Sequence, residues 1–463
     1  MDFKTFFEQI KGKRIAFCGV GVSNTPLIKS FLEKGAKVCV CDRRSREQIG
    51  TLADEFESRG ATLRLGEGYL DGLEVDMIFR TPGMNFNMPE LVKARNNGIC
   101  VTSEMEVFFD LCPSTIFAVT GSDGKTTTTT LIAEMLRAEG KTVHVGGNIG
   151  EPLLPRIEQI KPEDFVVVEL SSFQLISMRK SADVAVITNI APNHLDVHKD
   201  MDEYVGAKMN VFLHQNAFSR TVLNADDQMT AGFAEKVRGQ LMRFSMSGKV
   251  VSGAWLGADG MINMSYRGIT APVMHRSEIT ILGDHNVANY LNAISAVWGY
   301  AGTDSIRKVA KEFTGVEHRI ELVRELDGVR YFNDSIASSP TRTIAGLKAL
   351  PGRVILIAGG YDKHIPFEPM APYVNEKVKA LLLSGPTADK IEAAVKQDAG
   401  YDPDKIKIIR VSGMEEAVSK ARGLAESGDI VTLSPACASF DAYPNFVARG
   451  KHYKELVNAL EEE

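Results

Sequence analysis

The stretch Gly121-Ser122-Asp123-Gly124-Lys125-Thr126-Thr127 follows the apolar run Ile116-Phe117-Ala118-Val119. It precedes a segment in which Leu131, Ile132, Met135 and Leu136 recur at helical spacing. A glycine-flanked turn between a strand and a helix can curl its backbone N–H groups around an anion, and the helix start adds unpaired donors and partial positive charge. Gly121 to Thr127 are therefore candidate phosphate-binding residues. Lys125 is expected to reach the β/γ-phosphates of a nucleotide and the Thr126 hydroxyl to bind Mg²⁺, as in the P-loop. The usual pattern has a glycine five positions before Gly124, where Val119 stands, so this loop is a shorter variant. The plain alternative is a strand-to-helix turn followed by a threonine-rich helix start.

Other polar residues follow runs of Val and Ile that read as buried parallel strands: Glu169 after "DFVVV", and Asn189 to His194 after "ADVAVIT". In open α/β sheets the ligand lies beyond the carboxyl ends of the strands, which directs these residues into one crevice with the loop. Glu169 suits a hard cation, and His194 is a less usual ligand that reads equally as a satisfied loop histidine. Lys208, in "YVGAKMNVF", reads from the sequence alone as a solvated helix lysine. Asn286 and Asn289 interrupt an apolar helix at i and i+3, where they could bond an adenine edge or simply cap and pack.

These residues need three α/β segments to position them. The first opens with strand "RIAFCGVGV", a helix and strand "KVCVCD" ending in Asp42, the start of a doubly wound nucleotide-binding unit. Asn24 replaces the third fingerprint glycine, which argues against dinucleotide redox chemistry. Asp42 could accept from a ribose hydroxyl with Arg43 or Arg44 near a phosphate, or be a solvated strand end. The "FRTPGMNF" stretch adds a Pro-Gly turn after a strand, where backbone donors could meet a ligand. The third segment alternates strands such as "RVILIAGG", "KALLLSG" and "DIVTLSPAC" with helices, a second doubly wound unit. Boundaries are expected at 1–113, 114–314 and 315–463.

A chain of 463 residues exceeds one core. A net charge of −6 argues against a nucleic-acid surface, so small anionic substrates must be captured by specific sites. The six cysteines form no CxxC pair and read as reduced thiols. The N-terminus lacks an export-signal pattern and no apolar run approaches a membrane span, so a cytoplasmic location without membrane partners is expected.

In order, "TGSDGKTT", "GGNIG", "ELSSFQL", "NIAPNHLDVH", "EYVGAK", "GDHNVAN", "EHRIE", "NDSIASSPTRT", "GGYDK" and "SPACASFDAYPNFVARG" resemble the Mur ligases across essentially the whole chain. The resemblance implies an α/β fold of three domains: a Rossmann-like N-terminal domain, a P-loop mononucleotide-binding central domain and a Rossmann-like C-terminal domain. It implies an ATP-dependent carbon-nitrogen ligase of peptidoglycan precursor synthesis, working through an acyl phosphate. "ELSSFQL" and "SPACASFDAYPNF" look most like members that add D-glutamate to UDP-N-acetylmuramoyl-L-alanine. By the family pattern two Mg²⁺ ions are used, one held by Thr126 and Glu169, the second served by His194 and Lys208, with Lys208 as a carbamate. Ser23, Asp42 and Arg43 fall to the uridine end and Asn148 to the muramoyl part. Asn286 and Asn289 fall to adenine, Arg319 to the phosphates, and Asp334 to the ribose. Lys363, Ser439 and Phe446 fall to D-glutamate, and a monomer is expected. One departure stands out: Ile336 follows Asn-Asp-Ser where many members have lysine, and Arg342 is the expected substitute. Folylpolyglutamate synthetase shares some of these elements but leaves the Gly19-to-Asp42 unit unexplained. An ATP-driven regulatory switch would release ADP without regard to the acceptor.

Overall fold

Strands rich in Val, Ile and Phe, buried on both faces, build three largely parallel sheets in the computed structural model, which describes residues 1–192, 197–363 and 365–462. The first sheet contains β1 (Arg14–Cys18), β2 (Lys37–Asp42), β3 (Thr62–Leu65), β4 (Met77–Arg80) and β5 (Cys100–Thr102), in the order β3-β2-β1-β4-β5, all parallel. Order reverses at β1, so the turns after β1 and β4 flank the crevice where such sheets bind ligands. Gly19 makes the turn after β1 at φ +91, and a Cβ there would lie 2.6 Å from Thr81 Cγ2. Asn24, in place of the third glycine, is buried and donates from Nδ2 to the carbonyls of Cys18 (3.2 Å) and Gly19 (2.9 Å). It ties the turn together with its own side chain, a role a glycine cannot play.

The second sheet holds β6 (Thr115–Thr120), β7 (Val143–Gly147), β8 (Phe165–Glu169), β9 (Val184–Ile187), β10 (Arg220–Asn224) and β11 (Gln240–Phe244), in the order β11-β10-β9-β6-β8-β7 and again all parallel. Val166, Val167 and Val168 are fully buried, and each such side chain contributes roughly 1.5–3 kcal/mol. A small antiparallel sheet follows, β12 (Gly253–Leu256), β13 (Met261–Tyr266) and β14 (Ile269–His275). The helix Glu104–Leu111 places Phe108, Phe109 and Leu111 in the same core as Leu153, Leu154, Ile157 and Met178. The first two sheets therefore belong to one compact unit, Met1–Glu278 with Val287–Lys311; a second comprises Ile279–Asn286 and Glu312–Glu463.

The second unit is built on β15 (Glu321–Leu326), β16 (Val329–Asn333), β17 (Val354–Gly359), β18 (Val378–Ser384), β19 (Lys407–Arg410) and β20 (Ile430–Leu433), in the order β15-β16-β20-β17-β18-β19. Its five inner and far strands run parallel, and β15 pairs antiparallel with β16 at the edge. All six cysteines are free.

Candidate active site

The central strand β6 lies between β8 and β9, with Val119 opposite both Glu169 and Val186. The loop leaving β6 therefore meets the carboxyl ends of both neighbours. Gly121 (φ +145) could not carry a side chain, since its Cβ would fall 1.9 Å from Thr188 Oγ1; at Gly124 (φ +75) a Cβ would fall 2.4 Å from Asn289 Oδ1. Gly124 is the N-cap of the helix Lys125–Ala138 and has no side chain with which to bond the first N–H groups, and a helix N-terminus of this kind suits an anion. The loop is braced from behind. Ser122 Oγ donates to Ala191 O (2.8 Å), Asn189 Oδ1 accepts from Asp123 N (3.0 Å), and Thr188 Oγ1 donates to Asp123 O (2.5 Å). Lys125 Nζ donates to Ser122 O at 2.9 Å, and Thr127 is buried in the first turn.

Thr126 Oγ1 donates to Glu169 Oε2 at 2.6 Å, joining the two residues expected to hold a cation. Asn148 meets the same carboxylate, donating from Nδ2 to Oε1 (2.8 Å) and from its backbone N to Glu169 O (2.7 Å). Asn148, expected at the muramoyl part, therefore stands at the predicted cation site. The oxygen pair of Thr126 and Glu169 suits Mg²⁺. Among the described residues no cluster of three or more His, Cys, Asp or Glu is arranged for a metal. His194 lies outside the described residues.

Lys208, expected from the sequence alone to be solvated, is 2% exposed. Its Nζ donates to Gly121 O at 2.7 Å and lies 4.7 Å from the centroid of the Tyr204 ring. Burial pushes the ammonium down to about 7, with Lys125 reinforcing and Glu169 and Asp123 opposing the shift. Asn289 is buried at the loop, where Oδ1 accepts from Thr128 Oγ1 at 3.3 Å. Asn286 belongs to the second unit and donates from Nδ2 to Leu282 O at 2.7 Å.

At the carboxyl ends of β1 and β2, Asp42 is buried and accepts from Val20 N (2.7 Å), from Arg44 N (2.9 Å) and from the Arg44 guanidinium (2.8 Å). Burial alone would raise its pKa, but the Arg44 side chain and the two amides outweigh it and hold the carboxyl below its ordinary value. Arg44 is thus the arginine bound to Asp42, while Arg43 is exposed and Ser23 half-buried ahead of the helix Asn24–Glu33.

In the second unit, Asp334 is buried just beyond β16. It accepts from Ser434 Oγ (2.8 Å) and Ile320 N (3.3 Å), and a Cβ on Gly346 would come within 2.8 Å of its Oδ2. Burial raises its carboxyl to about 7 against the opposing pull of Ser434, Ile320 N, Arg319 and Arg342. Lys363 is exposed and donates to Ser338 O at 3.3 Å; burial of part of the side chain, then Arg342 and Arg449, push its ammonium down. Arg342 donates to Ile336 O at 3.1 Å. Ser439 is buried, and Phe446 opens the last helix with its carbonyl accepting from Ser335 Oγ at 2.8 Å.

Two buried residues in these networks were not singled out from the sequence. Arg449 donates to the carbonyls of Ser335 (2.9 Å), Cys437 (3.1 Å) and Ala438 (3.1 Å), gathering the loops around the predicted acceptor residues. His198 links the turn after β8 to the helix Met201–Met209, through Ser172 (2.8 Å) and Glu203 (3.1 Å). Both fall inside motifs that carry the resemblance, Arg449 in "SPACASFDAYPNFVARG" and His198 at the end of "NIAPNHLDVH", but no role follows for either from the sequence.

Comparison with known proteins adds to this geometry. Residues 119–297 match the Mur ligase middle domain, and residues 318–437 match the Mur ligase, glutamate ligase domain. A UDP-N-acetylmuramoylalanine--D-glutamate ligase from Clostridium botulinum (strain Okra / Type B1) is 50% identical over 460 residues, covering 99% of both chains. A protein of the same name from Clostridium novyi (strain NT) is 50% identical over 459 residues with the same coverage. Among solved structures, a UDP-N-acetylmuramate-alanine ligase from Thermotoga maritima superposes with a TM-score of 0.59 at 16% identity, covering 96% of this chain and 99% of its own. A pseudomurein peptide ligase type C from Methanothermus fervidus gives 0.56 at 19% identity, covering 97% and 100%. At these identities the structural likeness speaks for the fold.

Proposed function

This chain belongs to the Mur ligase family, and from that premise we propose that it is an ATP-dependent ligase that joins D-glutamate to UDP-N-acetylmuramoyl-L-alanine in peptidoglycan precursor synthesis. The observation that carries the reading is half-identity along the full length to relatives bearing that name. The geometry around Lys125, Glu169 and Lys208 supports it.

A carboxylate is a poor electrophile. The γ-phosphoryl group of ATP is therefore transferred to the terminal carboxylate of the alanyl substrate, breaking its bond to the ADP oxygen. The amine of D-glutamate, having lost a proton, then attacks the acyl carbon. The C–N bond forms as the C–O bond to phosphate breaks. Phosphoryl transfer asks chiefly for positioning and charge neutralisation. Residues Gly121 to Thr127 cradle the phosphates with backbone N–H groups and the Lys125 ammonium, while Thr126 and Glu169 present oxygens to the first cation. Mg²⁺, two ions in this reading, supplies further neutralisation of the phosphate oxygens when bound. Lys208, whose lowered pKa leaves neutral amine near pH 7, would add CO₂ through a new N–C bond and release a proton to become a carbamate, which together with His194 would hold the second ion.

Ser23, Asp42 and Arg43 take the uridine end and Asn148 the muramoyl part. Asn286, Asn289, Arg319 and Asp334 contact ATP. Lys363, Ser439 and Phe446 take D-glutamate, with Arg342 replacing the lysine that Ile336 displaces. The functional segments are 1–113, 114–314 and 315–463, and the enzyme acts as a cytoplasmic monomer. Among the described residues no helix is long and apolar enough to cross a membrane. ADP release measured with each substrate omitted in turn tests the reading. Release that needs both UDP-N-acetylmuramoyl-L-alanine and D-glutamate is expected, and release indifferent to D-glutamate would reject it.

A further inference from the structure

His198, Ser172 and Glu203 form a serine-histidine-acid line. The Glu203 carboxylate accepts from Nδ1 at 3.1 Å, and the Ser172 hydroxyl meets Nε2 at 2.8 Å. The same arrangement activates serine nucleophiles elsewhere, but a nucleophile needs room for an acyl group and donors for an oxyanion. Here Ser172 and His198 are 2% and 4% exposed. Phe173 stacks parallel on the imidazole at 5.1 Å, and Tyr204 presents an edge contact at 5.4 Å. The line is closed to substrate, so its consequence is mechanical.

Its connections run to three parts of the first unit. Tyr204 OH meets Ser122 Oγ in the phosphate loop at 2.9 Å, and Lys208 lies one helical turn further along with its Nζ over the Tyr204 ring. On the other side, Arg80 ends β4 and is 1% exposed. Its Nη2 donates to Phe173 O (3.0 Å) and Ser177 Oγ (2.8 Å), so the strand end before the turn Thr81-Pro82-Gly83 is tied to Phe173, the residue stacked on His198. Asn87 Nδ2 reaches Glu203 Oε1 at 3.5 Å, a second and looser tie between the same regions.

We propose that His198 is a positioning residue for the ligation: it locks the turn Ser171 to Gln174 onto the helix Met201–Met209, holding Tyr204 and Lys208 against the phosphate loop in register with Arg80. Only the identity of the reaction that slows rests on the ligase reading. A displacement of about 1 Å at reacting groups can cost roughly a hundredfold in rate without weakening ground-state binding.

His198→Ala is expected to lower kcat for D-glutamate-dependent ADP release by about tenfold to a hundredfold, with the ATP KM moving less than about threefold. His198→Gln, whose amide can still bridge the two partners, should recover part of the loss. Adding Ser172→Ala to His198→Ala should cost little more, because both remove one link. In hydrogen exchange, which needs no turnover, amides of Met201–Met209 should exchange faster in His198→Ala while those of Lys125–Ala138 keep their protection. A folded His198→Ala enzyme with kcat within about twofold of wild type, additive losses, or labelling of Ser172 by a fluorophosphonate would overturn the proposal. If His198→Ala does not fold, His198→Gln and Ser172→Ala are compared by the same two measurements. If wild type shows no D-glutamate-dependent release, the ligase reading fails by itself. The exchange comparison then decides on His198, and unchanged exchange in Met201–Met209 would overturn its role.

Discussion

Lys208 Nζ donates to the carbonyl of Gly121 at 2.7 Å, which places a buried amine directly against the first glycine of the loop Gly121 to Thr127. Burial lowers its pKa from 10.5 to about 7. The unfolded chain then binds more protons than the native one between about pH 7 and 10.5. Stability therefore rises with pH through that window, and the full penalty applies below it. Lys208→Met should remove a cost on the order of a few kcal/mol, gaining stability at pH 6 and losing that gain as pH approaches 10.5. It should also abolish ligation. Urea midpoints of both proteins across this range provide the check, and a pH-independent difference would contradict it. The same lowered pKa leaves free amine at neutral pH to add CO₂, so exhaustive CO₂ removal should depress activity and bicarbonate restore it.

Lys125→Ala is expected to abolish turnover while UDP-N-acetylmuramoyl-L-alanine binds nearly as before. The half-buried lysine stands at the start of the helix after β6, with its Nζ donating to Ser122 O, whereas the uridine candidates Asp42 and Ser23 lie at the end of β2 and ahead of the helix Asn24–Glu33. Calorimetry with each ligand decides the matter. Loss of the UDP ligand from a folded variant would mean that the loop serves the wrong substrate.

Acceptor selection is expected to rest on Lys363 and Arg342; partial burial, and after it the Arg342 charge, lowers the Lys363 ammonium. Lys363 is exposed, so its pairing with a carboxylate should contribute about 1.5–3 kcal/mol, less than a fully desolvated pair. Lys363→Ala should raise the D-glutamate KM by about tenfold or more and leave the ATP KM nearly unchanged. Arg342→Ala should act on the same constant. Equal effects on both substrates would move Lys363 to a phosphate role, and an unaltered D-glutamate KM would remove Arg342 from the acceptor site.

The strand-loop-helix at Gly121 to Thr127 and the approach of Glu169 to Thr126 were legible because residue type and local order carry them: glycines at a strand-helix junction, Lys-Thr next, a carboxylate ending a valine run. The burial of Lys208 was not legible, since burial at a polar helix position depends on what packs over it. His198 and Arg449 were illegible for a related reason. Their decisive partners Ser172 and Ser335 are 26 and 114 residues away, and although both residues fall inside quoted motifs, nothing local tells which partner each one bonds. The parallel sheets follow from their apolar runs. The hairpins β12 to β14 and the edge strand β15 have mixed, half-exposed sequences that carry no comparable signal.

Asp334 tests the ATP assignment in the second unit. Its carboxyl is raised from 3.8 to about 7 by burial, so the native state binds more protons than the unfolded chain between those values. Stability should fall as pH rises through that window, and the cost is fully present above about pH 7. Asp334→Asn removes the charge and should gain stability at pH 8 relative to pH 4, although the amide leaves one fewer oxygen for Ser434 and Ile320. If the carboxylate accepts from a ribose hydroxyl, the same change should raise the ATP KM by about tenfold and leave the D-glutamate KM in place. In wild type the ATP KM should improve as pH rises through about 7, and Asp334→Asn should abolish that trend. An ATP KM unchanged in Asp334→Asn, with the pH trend intact, would return Asp334 to a purely structural role behind Gly346 and Ser434.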